Sequence, residues 1–203
     1  MILVLIAVCY LVGSIPVAWI VAKLVTGQDL RQSGSGNVGV MNVAISVARW
    51  AGVLVFLAEA AKAALAITLA RSWVGSDAAV GVAVLATVAG TRWPIWLRGA
   101  GGRGNTVAVT SLTIISWPVA AAVGALWLLI RLVTGSSFIA TRVNLVVGPL
   151  IVGLVTRSWW YLALGAIFSL LFMTTHRRET DDHLVIKKRW SGLRRFLTMP
   201  PRK

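Results

Sequence analysis

Ser33-Gly34-Ser35-Gly36-Asn37-Val38-Gly39-Val40-Met41-Asn42 lies between two long apolar segments, where an ordinary connection would be short or charged. Three glycines, two serines and two asparagines fall within these ten residues. Glycine lets the backbone come close to a ligand, and successive N–H groups in such a loop form a concave anion site. A helix starting at about Gly39 would add its positive end to the same spot. One reading is a phosphate cradle at a membrane surface. The other is a flexible turn or a place where helices pack closely, because a Gly-x-Gly-x-x-Gly spacing alone is weakly specific.

Working outward, the flanks are those of an integral membrane protein. Of the 203 residues, 58% are hydrophobic and 13% charged, with a mean hydropathy of +0.83, which excludes an ordinary soluble domain. The net charge of +14 is unevenly placed, nine of the basic residues lying between Arg177 and Lys203. A basic tail next to apolar spans points to anionic lipid headgroups rather than nucleic acid. The single cysteine, Cys9, excludes an intrachain disulfide or a thiolate metal site. The first apolar run has no basic region before it, so a cleaved signal peptide is not expected.

Ile2 to Val25 is long enough to cross a bilayer and carries Gly13, Ser14 and Pro16 in its middle, a packing kink. Trp50 to Ala70 is a second span. Its Glu59 and Lys62, three apart, share a helix face and can pair, either as a functional site or as a neutralised packing anchor. Ala78 to Leu97 is a third, ending in an interfacial Trp93, Pro94 and Trp96. Arg98-Gly99-Ala100-Gly101-Gly102-Arg103-Gly104-Asn105 then forms a second glycine-rich loop, whose arginines match phosphate oxygens in pairs of hydrogen bonds. Asn105 to Arg131 is long for one span, and Trp117-Pro118 divides it. Thr134 to Arg142 reads as a polar loop, and Asn144 to Val155 as a short apolar segment interrupted by Gly148 and Pro149. Trp159 to Thr174 is the last span. Leu193, Phe196 and Leu197 among arginines suggest a surface-lying amphipathic piece.

Charge bias decides between six and seven crossings. With the division at Trp117-Pro118, the loops holding Arg31, Arg98, Arg103 and Arg142 share a side with the tail, and only Arg71 and Arg157 lie opposite. The expected fold is therefore an all-α polytopic membrane protein of about seven transmembrane helices, with the N-terminus outside and the C-terminus cytoplasmic. Residues 1–176 form a single transmembrane domain with cytoplasmic glycine-rich loops at 26–49 and 98–105. Residues 177–203 form a basic cytoplasmic tail. Both glycine loops and His176 then meet at one face. No carboxylate cluster suits a metal, and neither a Ser-His-Asp pattern nor a Walker lysine is present, so the composition suits an enzyme that holds phosphorylated substrates by backbone dipoles and arginines.

These residues resemble the bacterial acyl-phosphate:glycerol-3-phosphate acyltransferases of the PlsY type, from Gly13 to about Arg178. Gly13-Ser14-Ile15-Pro16, Asp29-Leu30-Arg31, Ser33 to Gly39 with Asn42, Glu59-x-x-Lys62, Trp93-Pro94, Gly101-Gly102-Arg103-Gly104, Thr141-Arg142 and His176-Arg177 carry the resemblance. It implies a seven-helix enzyme of the bacterial inner membrane with a cytoplasmic active site. Such an enzyme moves a fatty acyl group from acyl phosphate to glycerol 3-phosphate, giving lysophosphatidic acid in phospholipid synthesis, without a cofactor or metal. The resemblance implies catalytic roles for Ser35, Asn37 and His176. It implies substrate binding by Gly34, Gly36, Gly39, Asn42, Gly101, Gly102, Arg103 and Arg142. Acyl phosphate is already activated, so positioning two anions and stabilising an oxyanion is the main task. Implied partners are the two substrates, membrane lipids, anionic headgroups at the tail and the soluble enzyme that forms acyl phosphate.

The chain differs from the family pattern at Thr91 (usually histidine), Arg103 (lysine), Ile45 (arginine), Asn144 (serine), Thr175 (arginine) and Glu179 (asparagine). These replacements favour an alternative, a catalytically silent relative acting as a subunit or scaffold of a membrane complex. A transporter for an anionic solute is a third reading, and the lack of an inverted repeat counts against it.

Overall fold

The computed structural model describes residues 1–175, 182–190 and 193–198. The described residues are all-helical, with eleven α-helices and two short 3₁₀ turns. The first apolar stretch is two helices, α1 (Ile2–Ser14) and α2 (Val17–Thr26). They part at Ile15–Pro16, because proline has no N–H to continue the ladder. After the first glycine loop comes α3 (Val40–Ser46), which starts where the glycine spacing predicts, with Gly39 as its extended N-cap. The long α4 (Arg49–Trp73) carries Glu59 and Lys62.

Helix α5 (Asp77–Arg92) begins at Ser76, whose side chain accepts from the Ala79 N–H, and stops well before Leu97. Pro94 disfavours helical geometry at Trp93, and the chain turns through a 3₁₀ segment, Ile95–Leu97. This shortens the helical part of the third segment relative to the sequence reading. The contact of α1 with α5 is the most extensive between any two elements. Gly13 lies on the Thr87 backbone, and Gly90 on the backbone of Tyr10 and Ser14, so neither position has room for a Cβ. Small residues bring helix backbones together in this way. The Tyr10 hydroxyl donates to the Trp93 carbonyl at 2.7 Å, tying the end of α5 to α1.

The division at Trp117-Pro118 is present: α6 (Asn105–Ile115) ends, Ser116 is extended, and α7 (Trp117–Thr134) starts with proline in its first turn, where the missing N–H costs nothing. The expected polar loop at Thr134 to Arg142 is a correction. Only Gly135 and Ser136 separate α7 from α8 (Ser137–Thr156). Gly135 closes α7 in the left-handed region, and the Ser136 side chain caps α8 by accepting from the Ile139 N–H. Pro149 does not end α8; it sits inside the helix, where Gly165 of α9 (Trp159–Thr175) packs against it.

Five apolar stretches are long enough to cross a bilayer: Ile2–Thr26, Arg49–Trp73, Asp77–Leu97, Trp117–Thr134 and Ser137–Thr156. Asn105–Ile115 and Trp159–Met173 are shorter apolar helices. Helices α7 and α8 turn Leu128, Leu129, Leu132, Val133, Val146 and Leu154 outward, a surface suited to lipid. The tail corrects the surface-lying expectation in part. Here α10 (Asp182–Trp190) and α11 (Leu193–Thr198) fold back on α3. Ile186 and Phe196 are buried against Ile45, with Met41 and Ala44 beside them, while Leu197 stays exposed.

Candidate active site

The first glycine loop is anchored at its start by Asp29. Its carboxylate accepts from the Arg31 N–H at 3.0 Å, from Arg31 Nε at 3.0 and 3.1 Å and Nη2 at 2.6 Å, and from Trp19 Nε1 at 3.2 Å. Hydrogen bonding from the Arg31 side chain holds the Asp29 carboxyl at a pKa of about 2.

Asn42, fully buried, organises the rest of the loop. Its Nδ2 reaches the carbonyls of Leu30 (3.2 Å), Ser33 (2.9 Å) and Asn37 (2.8 Å). Its Oδ1 accepts from the Ser35 N–H at 3.0 Å and from the Ser46 hydroxyl at 3.1 Å. Gly34 and Gly36 both take positive φ, and a Cβ on Gly34 would collide with Asn42 Oδ1 and Ser46 Oγ. Four of the loop N–H groups are taken up inside the loop, which narrows the set of bare donors expected from the sequence. Ser35 N–H goes to Asn42, Gly36 N–H to the Ser33 carbonyl, Asn37 N–H to Ser35 Oγ, and Gly39 N–H to the Asn37 carbonyl. The amide of Asn42 is likewise spent on the loop, which leaves it a positioning residue. What the loop offers a ligand is the Ser35 hydroxyl and the half-buried Asn37 amide.

The two glycine loops meet. Gly101 and Gly102 donate their N–H groups to the Arg92 and Thr91 carbonyls at 3.3 and 3.1 Å, which folds the second loop over the end of α5. Gly102 then lies on the Val38 carbonyl of the first loop, with no space for a side chain. Gly101 and Gly102 are thus glycines because backbone meets backbone there. Arg103 follows this contact directly and is half-buried. Thr91 spends its hydroxyl on the Thr87 and Gly13 carbonyls, at 3.0 and 3.3 Å. Arg142 is on a separate element, α8, with its guanidinium 5.1 Å above the Phe138 ring. His176 and Glu179 lie outside the described residues.

One site residue went unread in the sequence. The Ser35 hydroxyl donates to Asp182 Oδ1 in a very short bond, and Asp182 is buried. The signal was there: Glu179, Asp181 and Asp182 are three of the six acidic residues in the chain, inside its most basic segment. Contacts across 147 positions, however, are not set by local pattern.

An apolar cavity of about 300 Å³ opens between α5, α6, α7, α8 and α9. It begins at Asn105, two residues beyond Arg103, and is walled by Leu112, Trp127, Leu145, Phe168 and Phe172. Asn144, on its wall, donates to the Val123 carbonyl at 3.0 Å and ties α8 to α7. The hydroxyl–carboxylate pair and the amide donor thus lie at the first glycine loop, and a slot that fits an alkyl chain reaches the end of the second loop at Asn105.

Comparison with known proteins identifies the family. The family profile described as glycerol-3-phosphate acyltransferase matches residues 3–184. A glycerol-3-phosphate acyltransferase of Synechococcus sp. (strain CC9902) is 35% identical over 183 residues, covering 88% of this chain and 90% of that one. Its counterpart in Synechococcus sp. (strain JA-3-3Ab) is 36% identical over 176 residues, covering 85% and 84%. Among solved structures, the crystal structure of PlsY (YgiH), an integral membrane glycerol 3-phosphate acyltransferase, in its glycerol 3-phosphate form superposes with a TM-score of 0.78 at 29% identity, covering 92% of this chain and 93% of that one. The lysophosphatidic acid form gives 0.77 at 26% identity, covering 98% and 99%. A profile that runs through nearly every helix described above, and relatives matched almost end to end, place this chain in the glycerol-3-phosphate acyltransferase family.

Proposed function

We propose that this multi-pass membrane acyltransferase takes its acyl group from acyl phosphate and transfers it to the 1-hydroxyl of glycerol 3-phosphate where the two glycine loops meet. The observation that carries the reading is the Ser35 hydroxyl of the first glycine loop bonded to a buried carboxylate, in a fold whose apolar slot reaches the second loop at Asn105. The acyl chain lies in the slot, and its phosphate is held by Arg103, with Arg142 and His176 keeping the phosphate-binding and proton-transfer roles that the family resemblance gives them. The 1-hydroxyl oxygen attacks the acyl carbonyl carbon. Its proton passes to Ser35 Oγ as the serine proton moves onto Asp182. The Asn37 amide donates to the oxyanion of the tetrahedral intermediate. The bond from carbonyl carbon to phosphate oxygen then breaks as the proton on Asp182 returns through Ser35 to the departing phosphate, releasing lysophosphatidic acid and inorganic phosphate.

Seven crossings support this arrangement: α1 with α2, then α4, α5, α6, α7, α8 and α9. Residues 1–176 are read as one transmembrane domain with the N-terminus outside and both glycine loops cytoplasmic, because Arg31, Arg98, Arg103 and Arg142 then share a side. The tail over 177–203 is cytoplasmic and exposes Lys187, Lys188, Arg189 and Arg195, which suits anionic headgroups or the soluble enzyme that supplies acyl phosphate.

The test is turnover per folded molecule in two variants. Ser35→Ala loses about a hundred- to a thousandfold, the scale of one lost transition-state donor. Gly36→Leu, at φ +73° with the Arg31 carbonyl 3.1 Å from any Cβ, inserts and purifies but does not turn over. Unchanged turnover per folded molecule in both variants would refute the site.

A further inference from the structure

A second cleft, of about 570 Å³, lies between α2 and the Ile95–Leu97 turn. None of the residues assigned above to the reaction lines it. Its walls are Trp19 and Trp96, its rim Arg31 and Arg98, and Ile15 and Ile20 continue it along the helix surface. We propose that this cleft binds a membrane phospholipid with an anionic headgroup, the phosphate between Arg31 and Arg98 and one acyl chain along Ile15 and Ile20.

Charge complementarity is the first support. Arg31 is neutralised by its fork on Asp29, so the net positive charge of the rim comes from Arg98. The Arg98 side chain is exposed and makes no hydrogen bond or ion pair among the described residues. Its backbone is held at φ +52°, a conformation uncommon for a residue other than glycine, by an N–H bond of 3.3 Å to the Ile95 carbonyl that closes the 3₁₀ turn. The turn thus presents at the cleft a cation that has no protein partner among the described residues.

The second support is the surface around the cleft. Trp96 is 64% exposed, and Ile15 and Ile20 continue into the outward Leu11 and Leu24 of the first span. A soluble phosphate would use the arginines alone and leave this apolar strip uncovered. A lipid uses both, and tryptophan is the side chain that prefers the headgroup level. An arginine at that level favours an anionic headgroup by about fivefold in affinity.

Native mass spectrometry of the purified full chain tests the assignment. The chain, in neutral detergent, is offered phosphatidylglycerol and phosphatidylcholine with identical acyl chains in equal amounts. The wild type retains phosphatidylglycerol in preference. Arg98→Gln lowers that preference about fivefold, Arg98→Lys keeps most of it, and Arg71→Gln, on a distant exposed arginine, leaves it intact. Trp96→Ala, at a side chain already exposed, lowers retention of both lipids. Inorganic phosphate in excess does not displace the lipid. Equal retention of the two lipids by the wild type, an Arg98→Gln protein that keeps its preference, or displacement by inorganic phosphate would each overturn the proposal.

Discussion

At the scale of single residues, Ser35 and Asp182 separate a chemical role from a structural one. Asparagine at 182 keeps a hydrogen-bond acceptor for the serine but cannot take up a proton. If Asp182 is the proton acceptor, Asp182→Asn lowers kcat by about 10²- to 10⁴-fold with little change in KM, and the acid limb of the pH–rate profile disappears. A carboxylate that only holds the loop would instead be rescued by asparagine, with the pH profile unchanged. Ser35, Gly36 and Asn37 could be singled out from the sequence because glycine and small polar residues between apolar spans have few other uses. What they do with their N–H groups could not be read, since these are spent inside the loop on Asn42 Oδ1, the Ser33 carbonyl and Ser35 Oγ. Ile45, one of the positions set apart in the sequence, has its own partners here: the apolar Ile186 and Phe196 of the returning tail. That pairing is invisible without the fold.

Among the elements, α4 acts through one buried side chain. Lys62 Nζ lies 2.8 Å from Glu59 Oε1, which realises the pairing that their spacing of three allows. It also donates to the Ile15 carbonyl at 2.6 Å and the Gly13 carbonyl at 3.3 Å, both left without helix partners by the break at Pro16. The pair therefore fastens the α1–α2 kink to α4. Lys62→Met alone leaves a buried carboxylate without its counterion and costs about 3–5 kcal/mol. Glu59→Gln with Lys62→Met recovers part of this, and what remains is the loss of the Lys62 bonds to the Gly13 and Ile15 carbonyls, which keep the Thr91 hydroxyl and the Val17 N–H as partners, at about 0.5–1.5 kcal/mol each. Thermal unfolding in detergent ranks the three proteins, and a double variant no more stable than Lys62→Met would contradict the pairing. The kink at Pro16 and the division at Trp117–Pro118 were legible because proline acts locally, whereas the end of α5 at Arg92 was not, the third span having been read on to Leu97. The start of α8 was not. Serine, threonine and arginine after Gly135 look like a loop, and only the Ser136 cap and the Trp127 Nε1 bond to Thr141 (3.0 Å) show why they are helical.

For the whole molecule, the family and the multi-pass membrane character frame two further quantities, the number of crossings and their orientation. The seven-crossing arrangement places a reporter near Ser136 in the cytoplasm and one near Gly75 outside; a Ser136 reporter that reads external would return the count to six and separate Arg142 from the glycine loops. The convergence of those loops was expected from charge bias alone, and the contact of Gly102 with the Val38 carbonyl supplies its physical form. Donor and acceptor chemistry can be read in one experiment. Purified protein is given acyl phosphate and glycerol 3-phosphate, and lysophosphatidic acid and inorganic phosphate are counted together. The account predicts that the two products appear in equal amounts, with acyl-CoA unable to replace acyl phosphate. Folded protein that makes no lysophosphatidic acid from acyl phosphate, or makes it only from acyl-CoA, would contradict it.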